Sequence, residues 1–248
     1  MRRVTARLIF TYTTWVQKLY IHVVYRIQFF LILSDETLAI AGLLDVDALE
    51  LVDLAAEERM KMLLMRVKKL PSDIILIPGE KLEMPGFRWA PKMPMTGKLI
   101  IIPPSSNSRD AVCTEEGLFA EYDAVMFEPT ILQSSKEHLF LDTERERIHR
   151  TIGRIHKTSD FWMDTANSTG YWCNALLLTS PPRPEQIYAC AAVLVSRCNV
   201  LKDGTPRFTC EFKELLFFTD MNEDELEYET RMDVIEANYG RGMKMHIM

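Results

Sequence analysis

The sequence predicts an α+β protein, with an N-terminal helical region followed by a mostly antiparallel β region that carries one helical insertion. Three observations point there. Up to Pro71 the apolar residues recur every three or four positions, the period of a helix with one buried face. After Pro71 the period shortens and β-branched runs end at Pro and Gly. Further on, two long apolar runs, 187–201 and 206–218, are joined by Lys202-Asp203-Gly204-Thr205, and an Asp-Gly between such runs is a strong short-range hairpin signal.

Composition sets the outer bounds. The chain has 248 residues, 48% hydrophobic and 26% charged, with 10 Gly and 12 Pro. A globular chain of this length can bury about 70% of its unfolded surface, so it needs no staples. A collagen-like or fully disordered class is excluded. The net charge of −6 lacks the basic footprint of nucleic-acid binding, so no nucleic-acid partner is expected. The five cysteines fall at irregular spacing with no CxxC, which indicates neither a disulfide scaffold nor a zinc finger and suits a reducing, cytoplasmic setting. Charge is segregated along the chain. Residues 1–33 carry Arg2, Arg3, Arg7, Lys18 and Arg26 with no acid, whereas residues 211–236 carry ten acids against Lys213 and Arg231.

Residues 1–33 form the first region. Leu8, Tyr12, Trp15, Leu19, Val23, Ile27 and Phe30 make one helical stripe, with Lys18, His22 and Arg26 beside it. The interrupting polar residues argue against a transmembrane span. Three readings fit: a helix packed on the core, an interfacial helix making weak membrane-surface contact, or a signal anchor or gene-prediction artefact. The second region, 34–71, is helical. Ser34 is a candidate N-cap with Asp35 and Glu36 in the first turn, and a longer helix places Leu49, Val52, Ala56, Met60, Leu63, Val67 and Leu70 on one face until Pro71 ends it.

The third region, 72–221, reads as β-rich. Strands are expected over 73–77, 98–102, 117–127 and 175–179, besides the hairpin. Ile148, Ile152 and Ile155 keep helical spacing, which predicts a helical insertion near 144–157. The last region, 222–248, is expected to be an acidic stretch, a short helix and a flexible tail at Tyr239-Gly240-Arg241-Gly242.

Two candidate sites emerge. Glu83-Met84-Pro85-Gly86-Phe87-Arg88-Trp89-Ala90-Pro91 is the most distinctive local sequence. Extended backbone there would put Phe87 and Trp89 on one side and Arg88 on the other. The aromatics then either anchor the segment on the core or form a recognition loop with Arg88. Arg145, His149 and His156 form the second candidate, an anion contact on a basic helical face, since His149 and His156 stand seven apart. That face lacks the converging acids or thiols a metal site needs. Cys190, Cys198 and Cys210 sit among apolar residues, where cysteine acts as a small buried hydrophobe. No GxSxG, Walker A, GxGxxG or HExxH arrangement occurs, so no catalytic residue, cofactor or metal is assigned.

The ordered blocks 34–45, Glu57-Glu58-Arg59-Met60, Ile74-Ile75-Leu76-Ile77-Pro78-Gly79, Pro85-Gly86-Phe87-Arg88-Trp89-Ala90-Pro91 and Cys113-Thr114-Glu115-Glu116-Gly117-Leu118 resemble fungal heterokaryon-incompatibility proteins. The resemblance is to the region downstream of their HET domain and covers about residues 34–120. It implies an accessory or sensing segment in nonself recognition that acts through protein contacts and is not an enzyme. The HET domain that precedes these blocks in relatives finds no room in 33 residues. A truncated gene or intron-derived residues near 27–33 are therefore expected, which transcript sequence across codons 20–40 would decide. The alternative function is a peripheral membrane protein using the basic N-terminal helix, for which salt-sensitive flotation with anionic vesicles is the discriminating test. A hydrolase or NAD-consuming enzyme is the least supported class, and turnover in an NAD-cleavage assay would overturn the non-enzymatic reading.

Overall fold

The computed structural model describes residues 36–93, 109–133, 137–143, 147–154, 170–179, 187–220 and 234–248. The amphipathic helix expected over 1–33, the strand expected over 98–102 and the acidic run 222–229 lie outside the described residues. The chain divides into two compact units, Met1–Lys68 and Lys69–Met248.

In the first unit α1 spans Glu36–Leu43 and α2 spans Ala56–Val67, with a 3-10 turn at Ala48–Glu50 between them. Asp47 caps that turn by accepting the Leu49 amide at 2.9 Å. The long helix expected from Leu49 begins seven residues late, and Leu49 and Val52 are exposed at 79% and 48%. No side chain caps the α2 N-terminus at Ala55, but the Arg59 guanidinium donates to the Leu54 carbonyl at 2.9 and 3.1 Å, which ties down the incoming chain. Met60, Leu63 and Leu64 are the buried face of α2. The helix ends at Lys68, whose φ of 61° turns the chain before Pro71 is reached.

Among the described residues the second unit holds nine strands: β1 Lys69–Pro71, β2 Asp110–Thr114, β3 Gly117–Gln133, β4 His138–Asp142, β5 Arg147–Arg154, β6 Gly170–Leu178, β7 Ile187–Val200, β8 Pro206–Asp220 and β9 Val234–Ile247. They form one nine-stranded sheet in the order β1-β2-β3-β6-β7-β8-β5-β4-β9, and β9 also pairs with β3 and β8. Because β9 bonds β3 as well as β4, the strands β3, β6, β7, β8, β5, β4 and β9 close into a ring, a barrel without free edges along the closure. The first residues of β9 run parallel to β4 and its last residues run parallel to β8, while the other pairings are antiparallel. The hairpin β4–β5 thus wedges between β8 and β9 at one end only. Val125, Phe127 and Leu132 of β3, Phe140 of β4, Cys173, Leu176 and Leu178 of β6, Cys190 of β7, Leu216 and Phe218 of β8, and Tyr239 of β9 fill the interior as one cluster.

The fold class is therefore mostly β, which corrects the α+β expectation. The predicted helical insertion is strand β5, because Ile148 and Ile152 are four apart and satisfy period two as well as period 3.6. The β-branched Ile148, Thr151 and Ile152 then favour the strand. The C-terminal helix and flexible tail are strand β9, in which buried Ala237, Tyr239, Met245 and Ile247 face inward. The strand expected over 73–77 is instead a 3-10 turn, Ser72–Leu76. Ile74, Ile75 and Leu76 are all buried in succession there, which a strand with one solvent face does not permit. The hairpin β7–β8 has the expected position. Its Gly204 amide donates to the Leu201 carbonyl at 2.9 Å and Leu201 pairs with Thr205, so the loop is three residues long with only Gly204 at positive φ, 80°. Asp203 before it does not share that conformation, and its side chain accepts the Thr205 amide at 2.9 Å.

Candidate functional site

The Pro85–Trp89 segment is built from two consecutive turns, not extended backbone. The Phe87 amide donates to the Met84 carbonyl at 3.0 Å, with Pro85 and a positive-φ Gly86 at the centre, the requirements of a type II turn. The Ala90 amide then donates to Phe87 at 2.9 Å. Phe87 and Trp89 are both fully buried with ring centroids 6.0 Å apart, and the indole Nε1 donates to the Gly86 carbonyl at 2.8 Å. Arg88 stands at the surface and bonds Glu211 at 3.0 Å. Lys213 bonds the same carboxylate at 2.8 Å and, with Arg88, holds Glu211 below the ordinary carboxylate range. Of the three candidate recognition residues, only the guanidinium is presented outward.

The anion-contact candidate is not assembled as expected. His149 lies on strand β5, buried, with its ring 5.1 Å from the Phe218 ring, so it does not belong to a solvated helical face. Arg145 and His156 lie outside the described residues. Cys190 and Cys210 are buried as expected, but Cys198 is exposed, because the end of β7 runs out towards the hairpin tip. Burial pushes the thiols of Cys113, Cys173 and Cys210 up to about 12 and raises that of Cys190 as well, which leaves them protonated and unreactive at neutral pH. Among the described residues no group of three or more His, Cys, Asp or Glu converges as a metal site, and no helix is long and apolar enough to cross a membrane.

A site that sequence reasoning missed lies on the outer face of β2, β3, β9 and β8. Register sets its composition. Val112 stands opposite Phe119, Phe119 opposite His246, and His246 beside Thr209. In the neighbouring row Glu121 stands opposite Lys244 and Lys244 beside Arg207, with Asp110 on the same face of β2 two residues before Val112. Lys69 of β1 extends the first row past Val112. These strands border a recess of about 280 Å³ that Arg109 and Asp110 close on one side and Arg207 and Lys244 on the other. The Phe119 and His246 rings stack at 4.1 Å and 5°, and the Arg207 guanidinium lies over the Phe119 ring at 5.1 Å. His246 Nε2 lies 3.0 Å from the Glu116 carbonyl, so the tautomer protonated at Nε2 is the one that bonds.

No family model matches the chain, and no curated protein or solved structure matches it.

What the recess offers chemically follows from which of its charges are already matched. Arg109 donates to Asp123 at 3.2 Å, and the buried Asp123 also accepts the Tyr239 hydroxyl and the Gly242 amide, both at 3.0 Å. Gly242, at φ 59°, makes that amide available where β9 bulges, so a glycine of the expected flexible tail holds a buried carboxylate. Lys244 reaches the exposed Asp203 at 3.4 Å. Among the described residues Arg207, Asp110 and Glu121 form no ion pair. Acids on the β2–β3 side and a cation on β8 are thus unmatched across a half-buried aromatic stack. Only alternation within each strand was legible beforehand; which strands would be neighbours was not.

Proposed function

We propose that the chain is a non-enzymatic binding module that meets a protein partner through this outer face. The observation that supports the reading is that Arg207, Asp110 and Glu121 form no ion pair among the described residues around the half-buried Phe119–His246 stack. A partner bringing opposite charges and an apolar edge would gain electrostatic complementarity and steering while burying the rings. The closed sheet beneath holds these groups in place before binding, which lowers the ordering cost of association. The resemblance of residues 34–120 to the post-HET region supplies the setting, an accessory or sensing segment in nonself recognition, and five free thiols are in keeping with a cytoplasmic location.

A photo-crosslinking residue at Val112, exposed at 44%, tests the reading in cells, with the same residue at Val200, exposed at 71% on the hairpin tip, as the control. A defined adduct from position 112 that weakens when Arg207→Glu is added is the expected result. Absence of an adduct there, or the same adducts from both positions, would overturn it.

A further inference from the structure

We propose that this face pairs with a second copy of the same chain, in a two-fold dimer whose axis runs parallel to the strands between β3 and β9. The inference rests on the binding-module reading and names its partner. Read across the sheet, Asp110, Glu121, Lys244 and Arg207 run acid, acid, base, base on four neighbouring strands. A row of that kind is complementary to its own reverse. Rotation about an axis along the strands lays it on its reverse, which sets Asp110 against Arg207 of the second copy and Glu121 against Lys244. The same rotation brings Phe119 over the His246 ring of the second copy. Rotation about an axis across the strands instead sets acid on acid and base on base, which like-charge repulsion disfavours. The pattern therefore selects one orientation, as an isologous interface requires.

Two further features fit this arrangement. The bond between Lys244 and Asp203 is long at 3.4 Å and Asp203 is 58% exposed, so the ammonium can re-pair at little cost. Four strands about 4.8 Å apart span roughly 15 Å, and two rows two residues apart cover roughly 7 Å along them, a patch on the order of 100 Å² that is well below the ~800 Å² per partner of a tight interface. The dimer is accordingly weak, concentration-dependent and sensitive to salt.

Sedimentation equilibrium of the purified full chain tests it. The weight-average mass should rise from 28.7 kDa towards twice that value with concentration, and association should weaken by about tenfold or more between low and ~1 M salt as screening shortens the Debye length. The chain with Asp110→Lys and Glu121→Lys, and the chain with Lys244→Glu and Arg207→Glu, should each remain monomeric, and their mixture should form a one-to-one heterodimer. That recovery also demonstrates that both variants fold. Should either fail to fold, Glu121→Cys and Lys244→Cys chains, each with Cys198→Ser, replace them and should form the mixed disulfide faster than either like pair. A parent that stays monomeric at every concentration overturns the dimer, as does association unaffected by charge reversal or like pairs that cross-link as fast as mixed ones. A monomeric parent with a Val112 adduct to a different protein removes the dimer and leaves the binding-module reading standing. A dimeric parent with no Val112 adduct of any kind places the association on another surface and overturns both.

Discussion

Lys81 shows how one side chain couples position to protonation. Its Nζ donates to the Ile75 and Ile77 carbonyls at 3.1 and 2.7 Å and lies 5.1 Å from the centre of the Phe212 ring, closing the 3-10 turn. Burial lowers its pKa from 10.5 to about 7, outweighing the opposing pull of the Glu214 carboxylate. Below that value the folded and unfolded chains both hold the proton, and the cost of the enclosed charge is carried in full. Between about 7 and 10.5 only the unfolded chain holds it, so stability rises with pH across that window. The urea midpoint of the parent relative to Lys81→Met should accordingly improve from neutral pH to about pH 9.5; a difference that stays flat would refute the assignment. Trp89 belongs to the same scale. With its ring fully enclosed and its Nε1 bonded to Gly86, Trp89→Ala should cost about 3–5 kcal/mol in urea melts. Trp89→Phe, which keeps most of the filling but strands the Gly86 carbonyl, should cost about 1–3 kcal/mol. An unchanged midpoint for the alanine variant would reject the anchoring role.

At the scale of elements, two glycines with positive φ separate backbone strain from steric exclusion. Gly204 has φ 80° with open space where a Cβ would stand, whereas a Cβ on Gly117, φ 140°, would stand 2.3 Å from the Ile247 carbonyl oxygen. Gly204→Ala should therefore cost about 1–2 kcal/mol, the left-handed penalty alone. Gly117→Ala should cost clearly more, since β3 and β9 must part to admit the methyl. Thermal melts of the two variants check the order, and equal losses would show that the β3–β9 closure tolerates separation. The same reasoning explains what the strand pattern could reveal. The β7–β8 hairpin was legible because turn residues and long apolar runs coincide locally. Strand β5 was not, because its isoleucines fit both periods. The C-terminal β9 was masked by Gly240 and Gly242; the role of Gly242, offering its backbone amide to the Asp123 carboxylate, appears only when β3 lies alongside.

For the whole molecule, β9 is the element on which closure depends, because it alone pairs with β3, β4 and β8. Removing 234–248 would leave those strands with unpaired backbone groups and open the interior cluster at Ala237 and Tyr239. The shortened chain should lose its cooperative unfolding transition and aggregate through the freed edges. A sharp, parent-like melt of that chain would show that the ring does not carry the stability assigned to it. The recess depends on the same closure, since Lys244 and His246 arrive between β3 and β8 only through β9.

Taken alone, the amino-acid sequence settled what depends on near neighbours. The α2 helical period, the β7–β8 hairpin and the strand character of 117–127 and 175–179 all follow from residues a few positions apart, where backbone preference and side-chain spacing act directly. Tertiary structure decided what depends on distant partners. Lys69↔Val112, Phe119↔His246 and Arg207↔Lys244 bring together residues separated by up to well over a hundred positions. Which of many alternating strands pair, and in which register, is fixed by the combined burial of the barrel interior, and no single strand carries that information. The recess and its order of charges exist only once that register is set.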